Sequence, residues 1–236
     1  MCIVSPHGAI RKGMARLQNK GKDWGVIFDM DGVLIDSYRA HFFSWQQMLR
    51  NHGFDITEIQ FAATFGLTNH DIFARLYPAI PPEEYPALAR EKEEAFRRII
   101  TADFPEMDGA SELLAALYKA GAVLGIGSSG PPENLEVLLH KLPGGRYFTA
   151  VTSGSEITRG KPDPEVFLKT AAKMDLPPRK CVVVEDAVAG VRAGKGAGCA
   201  VIALTGTAER EQLSEADIVV DSLRDLIPDT FKNLLP

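Results

Sequence analysis

Residues 26–37 read VIFDMDGVLIDS, and this stretch is the strongest indication of the fold. Its apolar start ends in two aspartates, Asp29 and Asp31, and Gly32 follows directly. Residues i and i+2 of a strand point to the same side, so both carboxylates are expected to face one small volume. Two anions that close repel each other, which predicts that one is protonated or that a cation lies nearby. A D-G turn is the simpler alternative, but the apolar continuation up to Asp36 does not alternate as a hairpin strand would.

Composition and charge limit the classes of protein to consider. The chain has 236 residues, of which 45% are hydrophobic and 24% charged, which suits one large domain or a core domain with an insertion. The formal net charge of −5 argues against a nucleic-acid partner, because phosphate backbones are bound by clustered Lys and Arg. A small anionic substrate is compatible with this charge, since it needs only a few local cations.

The cysteines and apolar runs indicate the cellular environment. Cys2, Cys181 and Cys199 are odd in number and lack CxxC spacing, so neither a disulfide scaffold nor a zinc site is predicted. No apolar run is long enough to span a bilayer, and the N-terminus lacks the apolar centre of a signal peptide. We therefore expect a cytoplasmic protein with no membrane partner, for which a monomer is compatible with the sequence.

Residues 1–23 are interpreted as a basic N-terminal arm. Residues 1–22 contain five Lys or Arg and no Asp or Glu. A mitochondrial transit peptide has the same bias, but this segment is poor in Ser and holds one Pro and three Gly, which weaken a helix. A surface arm is the favoured alternative.

The order of apolar runs along the chain predicts an α/β fold with a doubly wound parallel sheet. Near-continuous apolar strands that alternate with amphipathic helices are typical of a parallel sheet covered on both faces. The core domain is assigned to residues 24–37 and 105–236. Strands are predicted at 24–28, 123–127, 148–151, 181–185, 200–204 and 218–220, and helices at 110–119, 132–141 and 164–173.

Residues 38–104 are predicted to form a smaller, all-helical cap domain inserted after the first strand. The segment has helical periodicity and no strand candidate, and Gly53, Gly66, Pro81 and Pro82 divide it into about four helices. A helical insertion at this place would lie over the carboxyl ends of the strands, where open α/β sheets bind ligands.

Three predicted strands end in polar residues: Asp29, Ser128 and Asp186. Parallel strands bring such residues to one edge of the sheet, which predicts a common crevice. Asp29, Asp31 and Asp186 offer only oxygen ligands, a set that suits Mg²⁺. Glu185 is the second choice for a ligand, because in regular strand geometry only one of two adjacent residues can face the site.

Lys161, in the segment RGKPDPEVF, is the candidate cation for this crevice. The prolines on either side of Asp163 stiffen the turn before the next helix and would hold the lysine in a defined place. Most lysines are solvated surface charges, so this assignment depends on the neighbouring carboxylates.

The segment GIGSSG, residues 125–130, supports an alternative function. It matches G-x-G-x-x-G between a strand and a helix, the setting of a dinucleotide-binding loop. Against this, Pro131 and Pro132 follow the last glycine, and the next strand ends in Thr152 and Ser153 instead of the acid that holds a ribose. A dinucleotide-binding module therefore stays a remote alternative.

Four ordered motifs, DMDGVLIDS, GSS, GKPDPE and VVVEDAVAGVRAG, resemble those of the haloacid dehalogenase superfamily. The resemblance extends over residues 24–220, and the helical insertion is similar to the cap of the β-phosphoglucomutase and phosphoglycolate phosphatase group. It implies a Mg²⁺-dependent phosphatase that hydrolyses a small phosphorylated metabolite, such as a sugar phosphate, through an aspartyl phosphate. A phosphosugar mutase of the β-phosphoglucomutase type is the alternative, and a non-catalytic relative is a third.

The resemblance also implies a role for each motif residue. Asp29 would attack phosphorus, and Asp31 would protonate the leaving oxygen and then deprotonate the hydrolytic water. Ser128 and Lys161 would hold phosphate oxygens. Mg²⁺ would bind Asp29, the backbone carbonyl of Asp31, and Asp186. Dehalogenases lack an acid at the position of Asp31, so its presence favours phosphoryl transfer.

Substrate selection is assigned to Ser129 and to four cap residues. His41 and Trp45 resemble cap residues of β-phosphoglucomutases, although Trp45 could equally be a core residue and His41 a residue at the surface or behind the site. Where the mutases have a hydroxyl residue and then an arginine, this chain has Thr68 and Asn69. The missing arginine favours a phosphatase over a mutase.

Phosphonate-cleaving relatives need a cap lysine that forms a Schiff base. Between Gly32 and Arg90 the sequence has no lysine. That branch of the superfamily is therefore disfavoured.

Overall fold

A computed structural model of the chain describes residues 23–64 and 68–236. The basic segment 1–22, including Cys2, and residues 65–67, including Gly66, lie outside the described residues. The prediction of an N-terminal arm is therefore untested.

Six parallel strands form one sheet in the order β3-β2-β1-β4-β5-β6, which confirms the predicted fold class. The sheet grows outward in both directions from β1, whose four residues are all buried. Sheets of this kind are covered by helices on both faces, which explains the near-continuous apolar character of the strands. The strands are β1 (Gly25–Phe28), β2 (Val123–Gly127), β3 (Phe148–Thr152), β4 (Cys181–Glu185), β5 (Ala200–Leu204) and β6 (Ile218–Val220).

Two hydrophobic clusters cover the two faces of the sheet. Val26 and Phe28 of β1 belong to one cluster and Ile27 to the other, as the alternation of side chains along a strand requires. The core helices that supply the clusters are α5 (Ala110–Lys119), α6 (Pro132–Lys141), α7 (Glu165–Lys173), α8 (Val188–Gly196) and α9 (Pro228–Lys232).

Four helices between β1 and α5 form the cap, and no described residue of this segment is in a strand. They are α1 (Tyr38–Asn51), α2 (Glu58–Ala62), α3 (Asn69–Leu76) and α4 (Tyr85–Ala102). The cap has its own hydrophobic cluster, in which Trp45 and Phe73 are in contact. Phe96 and Ile100, near the end of α4, instead pack into a core cluster of the sheet. Helix α4 therefore spans both parts of the molecule.

Cys181 and Cys199 are free, buried thiols. Burial raises the pKa of each to about 12, so neither is a reactive thiolate at neutral pH. No helix in the described part of the chain is long and apolar enough to cross a membrane.

Candidate active site

A cavity of about 560 Å³ lies between the cap and the carboxyl ends of β1, β2 and β4. This is the place where open α/β sheets bind ligands. The core contributes Asp29, Asp31, Ser128, Ser129, Lys161, Glu185 and Asp186 to its lining, and the cap contributes His41, Trp45, Thr68, Asn69, Lys92 and Glu93, among others.

The two aspartates of the first motif lie in this cavity because the chain turns sharply after β1. The carbonyl of Met30 accepts hydrogen bonds from the N–H groups of the three residues 33–35. Gly32 has a φ of +76°, and a Cβ at this position would lie 1.9 Å from a carboxylate oxygen of Asp186. The D-G pair is thus part of a turn, and the same turn lets the backbone approach the acidic site closely.

Asp29, Glu185 and Asp186 form a buried cluster whose carboxylate oxygens lie within 4.8 Å of one another. The expectation that only one of Glu185 and Asp186 can face the site is wrong. Strand β4 ends at Glu185, so the alternation of side chains ends there too. The Glu185 carboxylate folds back and accepts hydrogen bonds from the backbone N–H groups of Asp186 (2.9 Å) and Ala187 (3.1 Å).

Gly190 makes room for this arrangement of Glu185. A Cβ on Gly190 would lie 1.9 Å from the carboxyl carbon of Glu185, closer than any real contact. Gly190, the first glycine of the fourth motif, is therefore required by the packing of the Glu185 carboxylate.

Lys161 bridges two members of the acidic cluster. Its Nζ donates to Asp29 Oδ1 at 2.7 Å and to Glu185 Oε1 at 2.5 Å. Burial alone would lower the pKa of Lys161, but the two carboxylates outweigh this effect and raise it. Lys161 is therefore a permanent cation in the cavity.

The acidic cluster is suited to a divalent cation. Burial raises the pKa of Asp29 to about 7, against the opposing influence of Lys161, and Glu185 and Asp31 add to the rise. Burial, together with Glu185 and Asp29, raises the pKa of Asp186 well above its usual value. A bound cation would relieve this repulsion, and a set of carboxylate oxygens fits a hard ion such as Mg²⁺.

Asp31 has a different environment from Asp29. Its carboxylate does not belong to the acidic cluster, and His41 Nε2 lies 3.0 Å from its Oδ1. Burial by itself raises the pKa of Asp31, but the interaction with His41 outweighs burial and lowers it. Two neighbouring carboxylates with different partners are suited to two different roles. That the backbone carbonyl of Asp31 binds metal stays a prediction.

Lys92 lies behind His41, a position that the sequence argument missed. Its Nζ is 2.8 Å from His41 Nδ1, and because an ammonium group can only donate, Nδ1 accepts and Nε2 carries the proton directed at Asp31. The His41 ring stacks on Phe96 with a centroid distance of 4.0 Å. Hence His41 is held in one tautomer and orientation.

The lysine-free stretch between Gly32 and Arg90 ends just before a buried lysine of the cap. Lys92 is the next lysine along the chain, and its side chain is only 2% exposed. It is hydrogen-bonded to His41 and to Glu93 Oε1, the latter at 2.8 Å. A lysine among several charged residues of a long helix resembles a surface residue, so the sequence carries no signal of its burial.

The other predicted substrate residues all line the cavity, but they differ in their contacts. Thr68 caps α3 and donates its hydroxyl to Asp71, and Trp45 is also part of the cap's hydrophobic cluster. Asn69 donates to Glu93. Ser129 lies in the loop after β2, and this loop forms part of the cavity wall.

The loop of the GIGSSG segment faces the acidic cluster. The Ser128 hydroxyl accepts a hydrogen bond from Gly130 N–H at 3.0 Å, and the Gly130 carbonyl accepts one from Gly154. This loop therefore lines the same cavity as Asp29 and Asp186, and a role of the loop in dinucleotide binding stays a prediction.

No arginine among the described residues lines this cavity. Two arginines of the cap sequence lie elsewhere: Arg39 lies over the Phe43 ring at 6.0 Å, and Arg75 is exposed. Two lysines line the cavity, and both are in ion pairs. Lys92 is paired with Glu93, and Lys161 is paired with Asp29 and Glu185.

The chain is similar to a well-populated family of enzymes. A family model described as haloacid dehalogenase-like hydrolase matches residues 26–204. Hexitol phosphatase A of Escherichia coli is 34% identical over 202 residues, which are 86% of this chain and 92% of that protein. β-Phosphoglucomutase of Bacillus subtilis is 29% identical over 85% of this chain and 90% of its own length. In fold, β-phosphoglucomutase of Clostridium difficile has a TM-score of 0.78 at 24% identity and covers 90% of this chain and 96% of its own.

Proposed function

Because this chain belongs to the haloacid dehalogenase-like hydrolases, we propose that it is a Mg²⁺-dependent phosphatase of small phosphorylated metabolites. Sugar phosphates and similar phosphomonoesters are the proposed substrates, with an aspartyl phosphate as intermediate. The observation that carries the proposal is the separation of the two motif aspartates. Asp29 is bound to Lys161 beside the acidic cluster, whereas Asp31 is bound to His41.

In the first half of the reaction, an Asp29 oxygen forms a bond to phosphorus while the bond from phosphorus to the leaving oxygen breaks. Asp31 donates a proton to that leaving oxygen, and because the pKa of Asp31 is lowered in the free protein, Asp31 must take up this proton once substrate is bound. In the second half, Asp31 removes a proton from water, whose oxygen attacks phosphorus and releases Asp29 as a carboxylate. Dividing the reaction into two displacements in this way is the advantage of a carboxylate nucleophile.

Positive charge and hydrogen-bond donors are needed where the phosphoryl oxygens lie. Lys161 supplies the charge, and Ser128 supplies a hydroxyl at the end of β2. Asp29 and Asp186, with Glu185 beside them, would hold Mg²⁺, which neutralises phosphoryl charge when bound. His41 orients Asp31 through its Nε2 proton.

The test is a phosphate-release assay with p-nitrophenyl phosphate and a panel of sugar and hexitol phosphates, with Mg²⁺ or with EDTA. Asp29→Asn is expected to reduce kcat by at least about 10³-fold, because it removes the nucleophile. Asp36→Asn is a matched control, since Asp36 belongs to the same sequence stretch but is exposed and outside the cavity. Activity that is insensitive to EDTA, or retained by Asp29→Asn, would contradict the proposal.

A phosphosugar mutase is the second candidate, since β-phosphoglucomutases are among the relatives. A mutase must hold a bisphosphate intermediate, and an arginine suits the phosphate that is not reacting. Asn69 stands at the position where the resemblance places the arginine of the mutases, and no described arginine lines the cavity. A coupled glucose 6-phosphate dehydrogenase assay, with β-glucose 1-phosphate and bisphosphate primer, distinguishes the two. Formation of glucose 6-phosphate that is faster than the release of inorganic phosphate would favour the mutase.

A further inference from the structure

Glu93 is a buried carboxylate that connects three other side chains at the seam between cap and core. Its Oε1 accepts hydrogen bonds from Lys92 Nζ at 2.8 Å and from Asn69 Nδ2 at 2.9 Å. Its Oε2 accepts one from Nδ2 of Asn134, a buried residue of core helix α6, at 2.8 Å. The Glu93 carboxylate is thus held by residues of the cap and by a residue of the core. Arg97 in turn fixes Asn134 by donating a 3.0 Å hydrogen bond to its side-chain oxygen.

This network determines which end of the Asn69 amide is available to a ligand. An ionised carboxylate can only accept, so the NH₂ group of Asn69 must point to Glu93. The Asn69 Oδ1 then makes no hydrogen bond to any described residue, although Asn69 lines the cavity. The cap side of the cavity therefore offers an acceptor, which a hydroxyl group of a leaving group can satisfy by donating.

The charges around the cavity oppose a second anion. Lys92 is paired with Glu93, and Lys161 with Asp29 and Glu185. Arg90 and Arg97 line only an adjoining cavity of about 390 Å³, which shares Asn69 and Glu93 with the first. A leaving group with a carboxylate or a second phosphate would approach Glu93 and find no unpaired lysine or arginine among the described lining residues.

We propose that Glu93 is a specificity-determining residue, which selects neutral polyhydroxy leaving groups and rejects those that carry a negative charge. It does so by turning the Asn69 amide oxygen toward the leaving group and by neutralising Lys92. The inference rests on the proposed phosphatase function and adds the chemical class of the leaving group.

The experiment compares glucitol 6-phosphate with 6-phosphogluconate, which differ at the far end of the chain in a CH₂OH group against a carboxylate. Wild-type protein is expected to favour glucitol 6-phosphate in kcat/KM by about tenfold or more. Glu93→Gln is expected to reduce this ratio at least about fivefold, because it leaves Lys92 unpaired near the leaving group. Glu91→Gln is the matched control: Glu91 is on the same helix, binds Asn51 and His52 and lines neither cavity, so the ratio should stay at the wild-type value.

A second variant keeps the test decisive if Glu93→Gln does not fold. Asn69→Leu removes the acceptor without a change of charge, and it should lower kcat/KM for glucitol 6-phosphate about tenfold relative to p-nitrophenyl phosphate. Wild-type preference for 6-phosphogluconate overturns the inference and would indicate that the carboxylate reaches Arg90. An unchanged ratio in Glu93→Gln, or an unchanged relative rate in Asn69→Leu, also overturns it. Failure of the phosphatase proposal is distinct, because wild-type protein would then release no phosphate even from p-nitrophenyl phosphate.

Discussion

Adding Mg²⁺ to the EDTA-treated protein is expected to raise its melting temperature, because a bound cation relieves the repulsion within the acidic cluster. In the described structure, three buried carboxylates share a single ammonium group, that of Lys161. Free Mg²⁺ at about 100 times its Kd stabilises a one-site protein by about 2.7 kcal/mol. For a domain of this size, 1 kcal/mol corresponds to roughly 2–4 °C, so we expect a shift of about 5–10 °C.

The shift should depend on pH in a definite direction. The pKa of Asp29 is raised to about 7 from 3.8, so the metal-free folded protein holds a proton that the unfolded chain releases. The stability of the metal-free protein therefore falls as pH rises from about 4 to about 7. Mg²⁺ binding requires the deprotonated carboxylate, so its stabilising effect grows over the same range. We expect a large shift at pH 8 and a small one at pH 5.5.

Differential scanning calorimetry with 10 mM MgCl₂ or EDTA at the two pH values measures the effect. Asp186→Asn removes one proposed ligand and one buried repulsion, so its melting temperature without metal should rise and its response to Mg²⁺ should shrink. Asp36→Asn, with an exposed carboxylate, should respond as wild-type protein does. The reasoning would be refuted if Mg²⁺ did not change the melting temperature of wild-type protein at pH 8. It would also be refuted if Mg²⁺ raised the melting temperature of Asp186→Asn as much as that of wild-type protein.

Three further substitutions test the packing around the site. Lys92→Met leaves buried Glu93 without its cation, so urea unfolding should show a loss of about 3 kcal/mol. The pKa of Glu93 is lowered to about 2 from 4.5, chiefly because the charge of Lys92 and the hydrogen bonds from Asn69 and Lys92 outweigh burial. The stability advantage of wild-type protein over Glu93→Gln should thus be complete above pH 4.5 and shrink as pH falls towards 2. Gly190→Ala should displace Glu185 and cost about 1–3 kcal/mol in the same assay, with loss of phosphatase activity.

Matched variants make these expectations specific. Lys92→Arg keeps the charge and should be less harmful to stability than Lys92→Met. Gly196→Ala changes the last residue of α8, where a Cβ would make only ordinary contacts with Pro164, and it should be nearly neutral. Equal costs for the two glycine variants, or a pH-independent gap between wild-type protein and Glu93→Gln, would contradict the assigned contacts.

The fold and the core half of the site could be predicted from sequence because their signals are local. Each central strand is four or five residues long and largely apolar, and the residue directly after the strand is polar for β1, β2 and β4. A parallel sheet then brings Asp29, Ser128 and Asp186 to one edge, whatever the details of packing. The position of Glu185 escaped prediction because it depends on two backbone hydrogen bonds after the strand has ended.

The cap half of the site could not be predicted in the same way, because its contacts join residues distant in sequence and have no motif. His41 and Lys92 are 51 residues apart, and Glu93 and Asn134 are 41 apart. In the segment REKEEAF, Lys92 and Glu93 look like their charged neighbours, yet both are buried. Their burial follows from Phe96 and Ile100, which fix the rotation of α4 by packing into the core cluster.

This difference between the two halves has a consequence for substrate assignment within the family. The acidic cluster and Lys161 come from the ordered motifs, so a chain that matches those motifs has the parts for phosphoryl transfer whatever its leaving group. In the proposal above, the leaving group instead meets the cap, where the Asn69 oxygen is available to a hydroxyl because Glu93 accepts from the amide NH₂ group. A relative with the same four motifs and the same cap lysine and asparagine, but no carboxylate at the position of Glu93, would leave the charge of that lysine unpaired and the amide N–H groups available to an anion. The identity of the residue that follows the buried cap lysine should therefore separate neutral from anionic leaving groups better than overall sequence identity does.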